Sequence, residues 1–319
     1  MTPADMHILV LAGGLSAERD VSLRSGRRVA EALRDGGHIV EVADIDSGLL
    51  DRLKSDPPAA VVPLVHGAAG EDGALRDVLD ALNIVYVGST GDACRAAFDK
   101  PAAAARMRSH GINVPPSVAL PHSTFRDLGA TSVLDAFASS LGLPLVVKPT
   151  RGGSALGVSI VNDIQELSAA MVGAFAYGDI VMLEQYIRGV EIAVSILDDG
   201  TTATALPAVE IQPDAMFYDY QCRYTAGATE FFVPARLDVS VIESASEIAL
   251  AAHRELGLRD WSRADMIVDS AGQVHVLEMC VAPGMTETSL YPQAVVAAGF
   301  DLGDITAQLV RTAIDRATS

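Results

Sequence analysis

Pro144-Leu-Val-Val-Lys-Pro-Thr-Arg-Gly-Gly-Ser-Ala-Leu-Gly-Val-Ser-Ile-Val161 reads as an apolar strand ending in lysine, a glycine-rich loop, and a second apolar strand. Glycines let a backbone approach a ligand closely, and such a loop can aim N–H groups at phosphate oxygens. Strand, glycine loop, strand is the order of a lid over phosphates. Lys148 is one of 3 lysines in a chain with 20 arginines. Where arginine serves for nearly every cation, a retained compact ammonium marks a position of interest. Lys100 is the second. Lys54, in a polar stretch before Pro57 and Pro58, reads as a solvated loop charge.

Upstream, strand and helix signals alternate. Residues 7–11 read as a buried strand, Gly13 and Gly14 as a tight turn, and Ser16 as the N-cap of a helix over 21–33 that stops at Gly36-Gly37. Strands are expected at 40–43, 59–65 and 84–87, with a helix near 73–82. This rhythm predicts an α/β domain with a parallel sheet over residues 1–92. A central α+β segment, 93–184, carries helices near 100–109 and 132–141 and the glycine loop. The last segment, 185–319, holds a hairpin around Asp198-Asp199-Gly200, an aromatic loop over 217–231, a helix over 240–256 and a second hairpin.

That second hairpin joins residues 261–268 to 273–280 through Asp269-Ser-Ala-Gly272. If Asp269 pairs with Gly272, Arg263 lies opposite Glu278, with Asp265 diagonal on the same face and Cys280 continuing it. Two carboxylates and a guanidinium then converge within reach of one divalent cation. A cross-strand ion pair on a solvated face fits the same residues.

Composition bounds the function. The chain has 319 residues, half of them apolar, and 41 acidic against 23 basic side chains give a net charge of −18. At about 100–150 residues per domain this is room for two or three. Such acidity argues against nucleic-acid partners or an anionic membrane surface. No apolar run approaches the ~18 residues of a membrane span, and the start lacks signal-peptide order, so a cytoplasmic enzyme is expected. Cys94, Cys222 and Cys280 lack metal or disulfide spacing and read as free thiols. There is no P-loop, no G-x-G-x-x-G, no nucleophile elbow and no H-E-x-x-H. Lys100, Lys148, the glycine loop and the carboxylate hairpin remain, and together they make a clamp for ATP.

In order along nearly the whole chain come Leu11-Ala-Gly-Gly-Leu-Ser-Ala-Glu-Arg-Asp-Val-Ser-Leu23, Val65-His-Gly-Ala-Ala-Gly-Glu-Asp-Gly73, Asp99-Lys100 and Val147-Lys-Pro149 with its loop. Phe217-Tyr-Asp-Tyr-Gln-Cys-Arg-Tyr224, Trp261-Ser-Arg-Ala-Asp265 and Pro283-Gly-Met-Thr-Glu-Thr-Ser289 follow. This order of segments resembles the D-alanine–D-alanine ligases of the ATP-grasp superfamily. It implies an ATP-grasp fold behind an N-terminal parallel-sheet domain, D-alanine and ATP as substrates, Mg2+ (or Mn2+) as cofactor, and a homodimer. The implied product is D-Ala-D-Ala for peptidoglycan precursors, made through an acyl phosphate.

By the same resemblance, Glu18 orients the first ammonium and, with Ser154 and Tyr224, ties three segments together. Arg263 and the Gly284 N–H stabilise the tetrahedral intermediate, while His66, Arg223 and Ser289 face the amino acids. Lys100, Lys148, Glu184, Glu191 and Phe217 contact ATP, and Asp265 and Glu278 hold metal. Each has a plainer reading: Glu18 as a first-turn helix acid, Glu184 and Glu191 as solvated strand-end charges, Arg263 as the ion-pair partner of Glu278. Three departures stand out. Cys280 replaces the usual metal-binding Asn, which predicts a weakened second metal site. Arg223 replaces Lys, and Ala155 follows Ser154 where a second serine is usual. These leave room for a ligase of other substrates in a specialised pathway, or for a weakly catalytic nucleotide-binding homologue.

Overall fold

The computed structural model describes residues 6–214 and 227–318, which form three sheets. The first contains β1 (His7–Leu11), β2 (Ile39–Ala43) and β3 (Ala60–Pro63), all parallel, in the order β2-β1-β3. β1 is central, and its apolar run Ile8 to Leu11 is buried throughout, as a strand covered on both faces requires. Helix α1 (Arg19–Asp35) makes the crossover and buries Val21, Ser25, Val29 and Leu33, one face at a spacing of four.

Three local expectations are corrected here. The helix begins at Arg19 without a Ser16 cap, because the Ser16 hydroxyl instead donates to the His66 carbonyl (2.9 Å) and accepts from Glu18 N (3.2 Å). The strand expected at 84–87 shrinks to one parallel bridge, Val61 to Tyr86. Lys54 stands in the helix Leu49–Ser55, whose apolar residues Leu49 and Leu53 are buried while Lys54 faces solvent.

The second sheet is antiparallel: β4 (Ser117–Pro121), β5 (Leu145–Pro149), β6 (Ser159–Val161) and β7 (Ile180–Gln185), in the order β4-β7-β5-β6. Helices Ala130–Leu141 and Ile164–Phe175 supply its core partners, among them Val133, Leu134, Leu167 and Met171. The glycine loop joins β5 to its neighbour β6.

The third sheet holds β8 (Gly189–Asp198), β9 (Ala203–Ala205), β10 (Val209–Pro213), β11 (Thr229–Phe232), β12 (Trp261–Asp269) and β13 (Val274–Cys280). Its order is β11-β10-β8-β12-β13, with β9 also on β8. Ile192, Val194, Ala264 and Met266 pack with Ala245, Ala249 and Ala252 of the helix Val239–Glu255. Ala193, Leu197 and Val209 instead join a core shared with Val29 and Leu33 of α1 and Leu309 and Val310 of the helix Leu302–Thr318. The first and third sheets are thereby welded through one apolar cluster. No helix among the described residues is long and apolar enough to cross a membrane.

The β12–β13 register differs from the expected one. Arg263 lies opposite Cys280, and Asp265 opposite Glu278. Asp269 N donates to Gln273 O, so the turn is one residue longer than expected, and Val274 pairs with Val268. A bulge follows: Met266 pairs with Val276 but Asp265 with Glu278, leaving Leu277 as the extra residue. A regular ladder would put Glu278 on the face of Val274 and Val276, which is core. Because side chains alternate, the one-residue bulge turns Glu278 to the face of Arg263 and Asp265.

Candidate active site

The glycine turn after β1 is already satisfied by its own neighbours. Gly13 N donates to Ser22 Oγ (2.8 Å) and Gly14 N to Asp44 Oδ1 (2.7 Å), while Arg19 binds both Asp44 and the Gly14 carbonyl. With those N–H groups used, the turn cannot cradle phosphate; it presents Glu18 instead. Glu18 is buried at the start of α1, and a Cβ on Gly67 would come within 2.9 Å of its Oε2.

Across the cleft, the loop after β5 reaches the same carboxylate. Ser154 Oγ donates to Glu18 Oε1, and Ser154 and Ala155 both hold positive φ, at 53° and 56°. Two non-glycine residues in the left-handed region are held only where surrounding contacts fix them, and the Glu18 contact is one such tie.

Two clefts meet here. The first, of about 860 Å3, is lined by Glu18, His66, Glu71, Arg263, Cys280, Gly284 and Ser289. The second, of about 970 Å3, has Val146, Leu156, Val158, Ile160, Ile187, Ile267 and Leu277 as apolar walls, with Lys148, Glu184, Glu191 and Asp265 among them. Lys100, Gly152, Gly153 and Glu278 border both. An apolar slot that opens onto an ammonium, a glycine loop and a carboxylate suits a nucleotide, base inward and phosphates toward the junction.

Charges in the clefts are paired. Lys100 Nζ lies 2.9 Å from Glu278 Oε2 and donates to the Gly152 carbonyl at 2.7 Å. Burial pulls the Lys100 ammonium down, but the Glu278 carboxylate outweighs it and the group stays above its ordinary value. Arg263 binds Asp265 through two parallel bonds, Nε to Oδ1 and Nη2 to Oδ2, the latter at 2.7 Å. Its expected pairing with Glu278 is thus replaced by one with Asp265, two residues along the same strand face. Lys148 Nζ lies 2.7 Å from Glu184 Oε1, both buried, so Glu184 is not a solvated strand-end charge.

Burial lowers His66 to about 4, leaving a neutral ring at pH 7. Its Nε2 is 3.2 Å from the Ser25 hydroxyl, which also accepts from Met285 N at 3.0 Å. Ser289 Oγ accepts from Thr286 N at 2.9 Å and lies at the start of the helix Leu290–Ala297. A Cβ on Gly284 would come within 2.8 Å of that hydroxyl, so a side chain there would crowd the cleft. Burial pushes the Cys280 thiol up, so it is protonated at pH 7.

Glu18, Ser154, His66, Arg263, Gly284, Ser289, Lys100, Lys148, Glu184, Glu191, Asp265 and Glu278 therefore all border the two joined clefts. Phe217, Arg223 and Tyr224 lie outside the described residues. Sequence reasoning missed Glu71. Its carboxyl accepts from Gly67 N at 2.7 Å and is pushed up to about 8 by burial and by the Glu18 charge. The signal was the glycine at 70, where a Cβ would fall 1.8 Å from the Val65 carbonyl and which turns Glu71 inward.

Comparison with known proteins bears on this geometry. Residues 107–311 match the family model described as D-ala D-ala ligase C-terminus. The chain belongs to the D-alanine–D-alanine ligase family. A D-alanine–D-alanine ligase of Anaeromyxobacter sp. (strain K) is 38% identical over 299 residues, 94% of each chain. The crystal structure of a D-alanine–D-alanine ligase from Bacillus anthracis superposes with a TM-score of 0.84 at 31% identity, covering 98% of this chain and 99% of that one. A structure of the Bacillus anthracis ligase complexed with ATP gives 0.82 at 28% identity, covering 98% and 99%. The three sheets of the present ligase-family chain are accordingly those of an ATP-grasp protein.

Proposed function

We propose that this protein joins two D-alanines to D-Ala-D-Ala at the expense of ATP, for peptidoglycan precursor synthesis in the cytoplasm. The observation that carries the reading is the meeting of an apolar-walled cleft and a charged cleft at Lys100 and Glu278. ATP occupies the apolar-walled cleft and the amino acids the charged one. In this reading residues 1–92 carry the first-substrate contacts, 93–184 the lid and 185–319 the phosphate end, and the protein works as a homodimer.

Glu18, held by Ser154, accepts the ammonium of the first D-alanine and leaves its carboxylate directed at the junction. That carboxylate attacks the γ-phosphorus: an O–P bond forms, the bond to the β-phosphate oxygen breaks, and ADP departs. Lys100 and Lys148 stand beside the charge that moves. The amine of the second D-alanine then attacks the acyl carbon of the acyl phosphate; a C–N bond forms, phosphate leaves and the nitrogen gives up a proton. Negative charge builds on the acyl oxygen in that step, where the Arg263 guanidinium and the Gly284 N–H are positioned as donors. Ser289 and Arg223 take the second carboxylate, and Phe217, Glu184 and Glu191 take the nucleotide. Tyr224 favours the amide product. Little covalent chemistry falls to the protein, so the rate rests on positioning and electrostatics.

The donor set fits Mg2+. Asp265 and Glu278 oppose each other across β12 and β13 as hard oxygen ligands, whereas Cys280 offers a protonated thiol. Among the described residues no group of three or more His, Cys, Asp or Glu could hold a metal. Two carboxylates with the balance from water and phosphate oxygens is the usual Mg2+ arrangement. Held by Asp265 and Glu278, the ion would neutralise phosphate charge.

Phosphate release from Mg2+-ATP with D-alanine alone, beside a panel of other D- and L-amino acids, tests this, with the product identified by mass. D-alanine-dependent turnover to the dipeptide is expected. Turnover only with another pair would refute the substrate assignment, and ATP binding without turnover would refute the reaction. Neither the different-substrate ligase nor the weakly catalytic homologue is favoured, since every described site residue borders the two clefts.

A further inference from the structure

Away from both clefts, Arg76 is 1% exposed on the helix Ala74–Ala81, and its Nε and Nη1 find no acceptor among the described residues. The indole Nε1 of Trp261, equally buried, finds none either. The indole Nε1 and a third nitrogen of the same guanidinium, Arg76 Nη2, face one place. Gly88, at φ +105°, has no side chain, and a Cβ built there would meet only Trp261 Nε1, at 3.6 Å, and Arg76 Nη2, at 3.8 Å, within 4 Å. A small space walled by N–H groups thus lies beside the Gly88 Cα. The polar backbone atoms of Gly88 are engaged elsewhere: its N donates to Asp260 and its carbonyl accepts from Arg259.

Charge decides what suits this space. A guanidinium out of water needs a counter-charge, because burying an uncompensated ion is costly. The groups that bear most on Arg76 are Cys94, Tyr86, Glu71 and Arg259. Cys94 is a thiol donating to the Ser89 carbonyl, Tyr86 a phenol donating to Asp80 at the surface, and Arg259 another cation. Burial pushes the thiol and the phenol up, the phenol to about 12, and pushes Glu71 up to about 8, so none of the three is an anion at pH 7. Asp260, fully buried, is already bound by two nitrogens of Arg316. Arg76 is therefore left beside a like charge.

We infer that the space between Gly88, Arg76 and Trp261 binds a chloride-sized monovalent anion, which accepts N–H donors from both side chains. Trp261 is the first residue of β12, two before Arg263, so the anion fastens the helix Ala74–Ala81 to the strand that carries the arginine of the site.

The full chain is melted in sodium gluconate, then with gluconate replaced stepwise by chloride at constant ionic strength. Chloride should raise Tm saturably, by roughly 3–5 °C at about 100 times its Kd. Arg76→Met should abolish the response and melt above the parent protein in gluconate, since it removes the unpaired charge. Trp261→Phe keeps the charge but removes a donor, and should shift the response to higher chloride. Crystals soaked in bromide should show an anomalous peak between Gly88, Arg76 and Trp261. Coincident chloride and gluconate curves, an unaltered response in Arg76→Met, or a bromide soak with water alone at this position would each overturn the inference.

Discussion

Replacing Lys148 with Met should destabilise the protein by about 3–5 kcal/mol, the range for removing one partner of a buried ion pair. The side chains of Lys148 and Glu184 are only 8% and 5% exposed, with Nζ and Oε1 2.7 Å apart. At an effective dielectric of about 20 the Coulomb attraction at that distance is about 6 kcal/mol, and desolvation of both ions offsets much of it. Removing the lysine keeps the desolvation of Glu184 but loses the attraction. Lys148→Met/Glu184→Met removes both charges together and, with similar volumes, should recover most of the lost stability. Urea unfolding followed by far-UV circular dichroism gives the three free energies, and equilibrium dialysis gives ATP affinity. Stability should return in the double variant while ATP affinity does not, because the ammonium that meets phosphate is still missing. If Lys148→Met alone lies within about 0.5 kcal/mol of the parent protein, the pair is not buried in the sense argued here.

Deleting Leu277, the extra residue of the bulge, makes Met266–Val276 and Asp265–Glu278 successive pairs of a regular ladder, so Glu278 should stay on the face of Arg263 and kcat/KM should change by less than about tenfold, while ATP affinity falls with the lost apolar wall; a fall in kcat/KM of about 10²-fold or more would contradict the register. Ser154→Ala removes a hydrogen bond to a carboxylate, about 1.5–3 kcal/mol, so kcat/KM for D-alanine should fall about 10–100-fold with ATP affinity kept. His66, held near 4 by burial against about 6.5 when unfolded, lends stability that is fully present above pH 6.5. That stability is lost as pH falls toward 4, by about 3 kcal/mol in all. His66→Asn should lack this part of the acid slope in urea titrations at successive pH values, and an identical slope in both proteins would contradict the burial argument.

Much of this was legible in the sequence because the strands are long apolar runs cut by glycines. The run of residues 7–11 and the loop of 150–157 are local signals, so β1 and the lid fall where periodicity and glycine place them. The site residues were legible mostly through family resemblance. Their pairings were not, since an ion pair depends on distance in space. Arg263 takes Asp265 rather than Glu278 because of a turn one residue longer than expected and a bulge at Leu277, and neither leaves a mark in hydrophobic alternation. Glu71 escaped for a related reason: Gly70 marks a close backbone approach in the sequence, but not which charged groups that approach brings around its neighbour.

The bulge also bears on why the site can exist without a ligand. Lys100, Arg263 and Lys148 are matched one for one by Glu278, Asp265 and Glu184. Among the described residues no buried cation of the clefts is left without a carboxylate, which keeps the desolvation cost of a charged cleft tolerable. On the proposed reading, substrate binding exchanges partners: phosphate oxygens compete for the ammoniums, and a divalent cation competes for Asp265 and Glu278. A ligand bringing only one of these charges would strand the other member of each pair. ATP and its divalent cation should therefore bind with positive coupling, ATP affinity falling when the cation is withheld. Equal ATP affinity with and without Mg2+ would show that the pairs at Arg263 and Lys100 stay closed, and would remove those two carboxylates from the metal site.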